Sequence, residues 1–314
     1  MPSAYEQIGS IIHINLPDHL LPYKYVFGQV LLDKVPSCKT VVNKIGKIDS
    51  VFRTFQMEVI AGVDNTEVSV NEGNCTFQFD YRKVYWNSRL HHEHARLVDS
   101  FLPTDRIADM FCGVGPFVIP AAKKGCVCYA NDLNPSCYSY LQRNIQLNHI
   151  DPSKLHIFNQ DARQFIRSLA QQTIPITQVI MNLPESAESF CDVFKSIRFP
   201  SPLTIHCYMF SNKEDPVLDS IQRIEAVLGS RLPREETEGK VIRDVAPYKR
   251  MTHITFHIPF HVYSTNNDYF ILFHYSNKIK NNNNHQATCN KLQSPPTLRL
   301  LLHRNTSEPK ESPQ

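Results

Sequence analysis

The stretch Asp109-Met-Phe-Cys-Gly-Val-Gly-Pro-Phe117 decides how this chain is read. The apolar segment RIADMFCG reads as a strand that runs into a turn holding Gly113 and Gly115, and Pro116 opens a helix. Glycines let the backbone approach a ligand closely, and a helix N-terminus presents free N–H groups. Asp132 follows 19 residues after Gly113 and closes the next strand, CVCYAND. At that distance an acidic side chain reaches ribose hydroxyls in a nucleotide-binding sheet. A dinucleotide fingerprint needs a third glycine near position 118, where this chain has Val118. The pattern favours an adenosyl ligand without phosphates over a nicotinamide cofactor. A bare Gly-x-Gly also serves as a tight strand–helix connection. Asp132, at its spacing inside a strand–helix alternation, weighs against that simpler reading.

Working outward, the alternation continues. PFVIPAAKKG reads as a helix, and NPSCYSYLQRNIQLNHI as another with Pro135 in its first turn. KLHIFNQD, TQVIMNLP and LTIHCYMF read as three more strands with helical stretches between them. Such alternation predicts an α/β fold built on a mostly parallel sheet covered on both faces. Upstream, TVVNKIG, FRTFQMEVIAG and CTFQFDY read as strands of a small α+β module. The expected division is a module over 11–84, a catalytic domain over 85–260, and a polar tail over 261–314. The tail carries an Asn281–Asn284 run and is expected to be disordered.

Composition narrows the classes. Of 314 residues, 42% are hydrophobic and 20% charged, and Lys+Arg of 33 against Asp+Glu of 30 leaves +3. Such a balance permits a local nucleic-acid patch without arguing for one. No run of about 18 apolar residues occurs, so no membrane span is expected. The start, MPSAYEQIGS, has no leader character. Nine cysteines without a repeating spacing, several inside apolar runs, read as reduced core thiols.

Two further strand ends face the same sheet edge. Asp161 ends KLHIFNQD, where a carboxylate can accept from an adenine amino group; Asn182-Leu183-Pro184 ends TQVIMNLP. Ligands of such sheets bind outside the carboxyl ends of the strands. Asn182 and Pro184 would set a side-chain amide and a rigid backbone beside a base, although an Asn before a helix is also an ordinary turn residue.

At these residues the chain resembles a known family. DMFCGVGPFVIPAAKKG, YANDLNP, MNLPESAESF, LPYKYVFGQVLLDK, NKIGKIDSVFRTFQMEVIAG, FDYRKVYWNSRLHHEHARLV and VIRDVAPYKRMTHITFHIP resemble the Trm5-type tRNA (guanine-37 N1)-methyltransferases of eukaryotes and archaea. The resemblance covers about 11–259. It implies a class I, Rossmann-like methyltransferase fold and S-adenosylmethionine as cofactor. The implied activity is methyl transfer to N1 of the guanine 3′ of the anticodon. The implied partner is the tRNA anticodon loop, with no membrane, no metal and a monomeric chain. The cofactor residues implied are His94, Asp132 with Leu133, Asp161 with Ala162, and Asn182, joined by the turn residues Asp109, Gly113 and Gly115. The base-handling residues implied are Arg53, Glu93 and Asn182, with Tyr85, Arg89 and Pro184 around the base. Cys112 stands where the family has alanine, and Ala162 where it has glycine. Family members carry an N-terminal domain that grips the tRNA outer corner, and this chain is expected to begin after it. Cytoplasm, nucleus and mitochondrial matrix are the family's compartments.

Guanine N1 carries a hydrogen, so methylation there needs a base and a cation for the charge that grows on O6. Glu93 is the expected base, with a raised pKa, and Arg53 the expected O6 partner. Without the resemblance, Glu93 in RLHHEHARLV would read as solvated helix surface and Arg53 in VFRTFQME as an exposed strand residue. His91, His92 and His94 lack the paired ligands of a zinc site. Lys24, Lys34, Lys39, Lys44, Lys47 and Arg53 in the first module, and Arg243, Lys249 and Arg250 near the end, are candidate RNA contacts, with Tyr85 and Phe117 as stacking platforms. Three rivals stay open: an aminocarboxypropyl transferase of wybutosine synthesis, a truncated non-catalytic tRNA-binding form, and a nicotinamide dehydrogenase.

Overall fold

The computed structural model describes residues 5–48 and 52–258, all within one unit of the chain. It opens with β1 (Glu6–Ile8), β2 (Ile11–Ile14), α1 (Lys24–Lys34), β3 (Thr40–Ile48) and β4 (Phe55–Gly62). These strands form a four-stranded sheet in chain order. β2 and β3 run parallel, and α1 makes the crossover between them. The module has its own core of Ile12, Ile14, Leu16, Cys38, Val41 and Ile60. A hairpin, β5 (Glu67–Glu72) and β6 (Cys75–Asp80), and helix α2 (His91–Ser100) lead into the main sheet.

Strand and helix then alternate as the sequence predicts: β7 (Arg106–Asp109), α3 (Val118–Lys123), β8 (Val127–Asn131), α4 (Pro135–Leu147), β9 (Leu155–Phe158), α5 (Ala162–Gln171), β10 (Gln178–Met181), β11 (Thr204–Ser211) and α6 (Pro216–Leu228). A long hairpin, β12 (Glu238–Ala246) and β13 (Lys249–His257), closes the described chain. The seven strands lie in the order β12-β13-β11-β10-β7-β8-β9. β7 to β11 are parallel, and the final hairpin adds two antiparallel strands at one edge. The strand order reverses between β7 and β10, which is where such sheets bind ligands.

Both faces of this sheet are covered. Side chains alternate along each strand: in β11, Ile205, Cys207 and Met209 enter the core beneath α5 and α6, while Tyr208 enters the opposite core with Ile107, Phe117 and Leu97. The β5–β6 hairpin belongs to that second core through Phe77 and Phe79. Two asparagines of or just after α4 hold the hairpin's free edge: Asn144 Oδ1 accepts from Gln78 N at 2.8 Å, and Asn148 pairs with both N and O of Thr76 at 2.9 and 2.6 Å. The eight cysteines among the described residues are buried and unpaired with one another, in keeping with reduced thiols. The tail expected to be disordered lies outside the described residues. Among the described residues, no helix is long and apolar enough to cross a membrane.

Candidate active site

A cavity of about 320 Å³ lies at the carboxyl ends of β7, β8 and β10, and its wall gathers residues between Phe52 and Met251. One end is built by Gly113, Asp132, Leu133, Asp161 and Ala162; the other by Arg53, Tyr85, Asn182 and Pro184.

The first end is organised around Asp132. Its Oδ2 accepts from Gly113 N at 2.8 Å and its Oδ1 from Asn134 N at 2.9 Å, which fastens the glycine turn to the start of α4. Gly113 adopts φ +53°, and a Cβ there would meet only open space. Gly115 differs: at φ +100°, a Cβ would come within 2.7–2.9 Å of Leu141 and Ile119 side-chain atoms. Gly113 therefore leaves room for a ligand, whereas Gly115, off the lining, lets α3 pack against α4.

Asp109 lies below the lining, fully buried, with Oδ1 accepting from Phe111 N at 3.1 Å and Oδ2 without a partner among the described residues. Burial, then the Asp132 charge, pushes its carboxyl up to about 8. Burial also raises Asp132, against the two N–H bonds that it accepts. Two carboxyls in one desolvated corner suit a ligand that brings positive charge there. A sulfonium carrying adenosine and an amino acid answers to this corner and to the cradle at Gly113. Asp161 lines the cavity while its Oδ1 caps α5 by accepting from Arg163 N and Gln164 N. His94, also on the wall, is fixed by Glu72 Oε1 at 2.7 Å and by the Phe117 ring at 4.7 Å.

At the second end the backbone of Arg53 is a finding the sequence did not foretell. It precedes β4 instead of lying within a strand, and its backbone sits at φ +61°. Non-glycine residues rarely hold that conformation, and its cost is tolerated most often at functional sites. Its guanidinium carbon lies 6.0 Å from the Tyr85 ring centre, and its Nη1 3.6 Å from Glu185 Oε2. Asn182 Oδ1 is buried and has no partner among the described residues. Pro184 O accepts from Phe210 N at 2.8 Å, which pins the loop after β10 to β11.

Besides Asp109 and Gly115, two further expected residues lie off the wall. Arg89 is exposed and off the wall, so it does not line the cavity. Glu93 is buried behind the wall. Arg96 grips it through two bonds of 2.7 and 2.8 Å, Tyr208 donates at 2.8 Å, and Lys240 and His253 stand at 3.7 and 3.6 Å. Burial pushes the Glu93 carboxyl up, but the Arg96 and Tyr208 bonds and the Arg96 and Lys240 charges outweigh it and hold it below the ordinary glutamate value. In the ligand-free chain the raised pKa expected from the sequence is thus corrected: Arg96, Tyr208 and Lys240, from α2, β11 and β12, stabilise the ionised form.

Sequence reasoning missed Val245 and Met251, wall residues supplied by the β12–β13 hairpin, and took Arg243, also on the wall, only for an RNA contact. Of the basic candidates, Lys24 pairs with Glu58, Arg250 donates to Lys213 O and Glu214 O, and Lys249 lies 3.5 Å from Glu185. Phe117 is buried on the wall, whereas Tyr85 is 39% exposed and can offer a face. Among the described residues, no group of three or more His, Cys, Asp or Glu could hold a metal ion.

Strand order, glycine turn and cavity define a class I, Rossmann-like methyltransferase fold. Residues 68–229 match the family model for the TRM5/TYW2 methyltransferase domain, and residues 1–66 that for the TYW2 N-terminal domain. The chain is 47% identical to the tRNA (guanine(37)-N(1))-methyltransferase of Dictyostelium discoideum, over 82% of this chain and 58% of that protein. Among solved structures it is similar to Trm5b from Pyrococcus abyssi, with a TM-score of 0.69 and 30% identity over 82% of this chain and 75% of that one. It is also similar to Methanocaldococcus jannaschii Trm5 in complex with adenosine, with a TM-score of 0.66 and 27% identity over 82% and 74%. The chain belongs to the TRM5/TYW2 methyltransferase family. It spans between 54% and 64% of the length of the first three curated relatives that it matches.

Proposed function

We propose that this chain transfers a methyl group from S-adenosylmethionine to N1 of guanine 37 of tRNA, beside the anticodon. The observation that carries the reading is one cavity with two chemically distinct ends: the Gly113–Asp132 corner for an adenosyl ligand, and Arg53 with Asn182 for a base. When bound, the cofactor supplies a methyl group on an already activated, positively charged sulfur. Asp132, Leu133, Asp161 and Ala162 would hold the nucleoside, with the buried Asp109 carboxyl beneath, protonated in the ligand-free chain and able to ionise when a cation arrives.

The remaining chemistry belongs to the chain's own side chains. Tyr85 gives a half-open aromatic face for a base splayed out of its loop. Arg53 would donate to O6, where a preorganised donor is worth about 3–4 kcal/mol as charge develops. Asn182 Oδ1, buried and without a partner among the described residues, would accept from the guanine edge. Glu93 would take the N1 proton, a step worth roughly 10²–10⁴-fold, after turning from its resting place toward the cavity. The 11–84 module is proposed to contact the RNA, and the chain to work as a monomer.

A second reading is favoured by one observation: residues 1–66 match a domain named for TYW2. In that reading the aminocarboxypropyl group, not methyl, leaves the same sulfur. Incubation with S-adenosylmethionine labelled in the methyl or the carboxyl carbon, with unmodified tRNA bearing guanine or adenine at 37, separates the readings. Methyl label entering guanine-37 RNA alone supports methyl transfer. Carboxyl label entering it supports the second reading, and label independent of base 37 overturns both.

A further inference from the structure

Glu93 is held by Arg96 in a geometry with one exposed side. The guanidinium makes a two-bond fork to the carboxylate, and its Nη2 also lies 3.1 Å from His253 Nδ1. The Arg96 side chain is 42% exposed, and that of Lys240, 3.7 Å from the same carboxylate, is 39% exposed. Two cations therefore face solvent over a single buried carboxylate, which leaves one positive charge in excess. His253 adds none: it is buried, and burial, then Arg96 and Lys240, lowers it to about 3.

Lys240 lies on β12 three residues before Arg243, a residue of the cavity wall. At about 3.3 Å per strand residue, this cation pair stands roughly 10 Å from the wall. An RNA strand with one base in the cavity would pass its backbone within reach. A planar guanidinium binds a phosphate with the same fork that it offers a carboxylate.

We propose that Arg96 is a positioning residue: it clamps Glu93 behind the cavity wall in the free protein, and a phosphate of the RNA strand, seated on Arg96 and Lys240, draws the guanidinium away and releases the carboxylate. The base is thus freed only when its substrate is in place. Tyr208 keeps its bond to Glu93 and acts as the pivot. Its ring is stacked on His253 at 4.5 Å and lies 6.0 Å from Phe117 on the wall.

The inference rests on Glu93 as the base, and the test separates the two. In the whole chain, labelled with ¹³C at glutamate carboxyls and assigned through Glu93→Gln, the Glu93 titration is followed by NMR with and without an anticodon stem-loop carrying guanine 37. The expected midpoint in free wild type lies below the ordinary value of about 4.3 and rises by about one pH unit or more with RNA. In Arg96→Gln it is already raised, and RNA does not move it. Arg96→Lys, which keeps the charge without the fork, falls between. In parallel, the acid limb of the pH profile of kcat/KM, which reports the free protein, moves to higher pH in Arg96→Gln, whereas that of transfer at saturating RNA stays with wild type. A wild-type midpoint in Arg96→Gln, or a wild-type midpoint unmoved by RNA, overturns the clamp. Full transfer by Glu93→Gln removes the base instead.

Discussion

Arg53 and Glu185 meet at 3.6 Å, guanidinium Nη1 to carboxylate Oε2, at the rim between the wall residues Pro184 and Ser186. Lys249 reaches the same carboxylate at 3.5 Å. Glu185 is thus an anion where an RNA strand would arrive, and it occupies the cation expected to meet guanine O6. Its side chain is 55% exposed, so the pair is worth about 0.2–1 kcal/mol. Glu185→Gln is expected to tighten binding of an anticodon stem-loop up to roughly fivefold at low salt, and the gain should fade at high salt. Filter binding at two ionic strengths checks this; equal affinities at low salt would refute it.

The two glycines of the turn make opposite predictions. Gly115→Ala drives a Cβ into Leu141 and Ile119 at φ +100° and is expected to destabilise the fold by about 1–3 kcal/mol. Gly113→Ala meets open space at φ +53° and costs about 1–2 kcal/mol of backbone strain at most. Its larger effect should fall on S-adenosylmethionine affinity, because the methyl enters the ligand cradle. Urea melts beside calorimetric titration of the cofactor would separate the two effects.

Asp109 sets a pH dependence of stability. Its native carboxyl is raised to about 8 from a reference of 3.8. The native state therefore holds a proton that the unfolded chain has released, and stability falls as pH rises between those values, by up to about 1.4 kcal/mol per pH unit. Asp109→Asn removes this slope. The ligand-free variant should match wild type near pH 4 and exceed it near pH 8, as read from denaturant midpoints across the range. A constant difference between the two proteins would contradict the assignment.

Asn144 joins the hairpin to the cofactor turn: Oδ1 accepts from Gln78 N while Nδ2 donates to Val114 O at 3.2 Å. It is fully buried. Asn144→Ala leaves a buried N–H and a buried C=O unpaired, a loss of about 2–4 kcal/mol. Chemical denaturation measures the loss, and weaker cofactor binding should accompany it because Val114 lies on the cavity wall.

The parts that could be read from the sequence are those that local chemistry fixes. Apolar strands ending in glycine or aspartate, Pro135 opening α4 and the 19-residue step to Asp132 all specify their positions within a few residues. The rest depends on partners far along the chain. The low-lying Glu93 carboxyl comes first from Arg96, three residues on, but also from Tyr208, 115 residues away, and Arg96 itself is set by His253, 157 residues off. The left-handed backbone of Arg53 has no local signal, since no glycine or asparagine marks it. The β12–β13 hairpin shows in the sequence as a resembling string with basic residues, and no turn motif marks its cavity residues Val245, on the edge strand, and Met251, on the strand beside it.

That hairpin carries a consequence for synthesis. The TRM5/TYW2 methyltransferase model match ends at residue 229, yet Arg243, Val245 and Met251 close the cavity, and Lys240 and His253 flank Glu93. A nascent chain halted after α6 would own the cofactor corner and lack the far rim. On the proposed function, competence would arrive only when the last described strand slots between its neighbours, so the ribosome would deliver the donor's berth first and the acceptor's rim last.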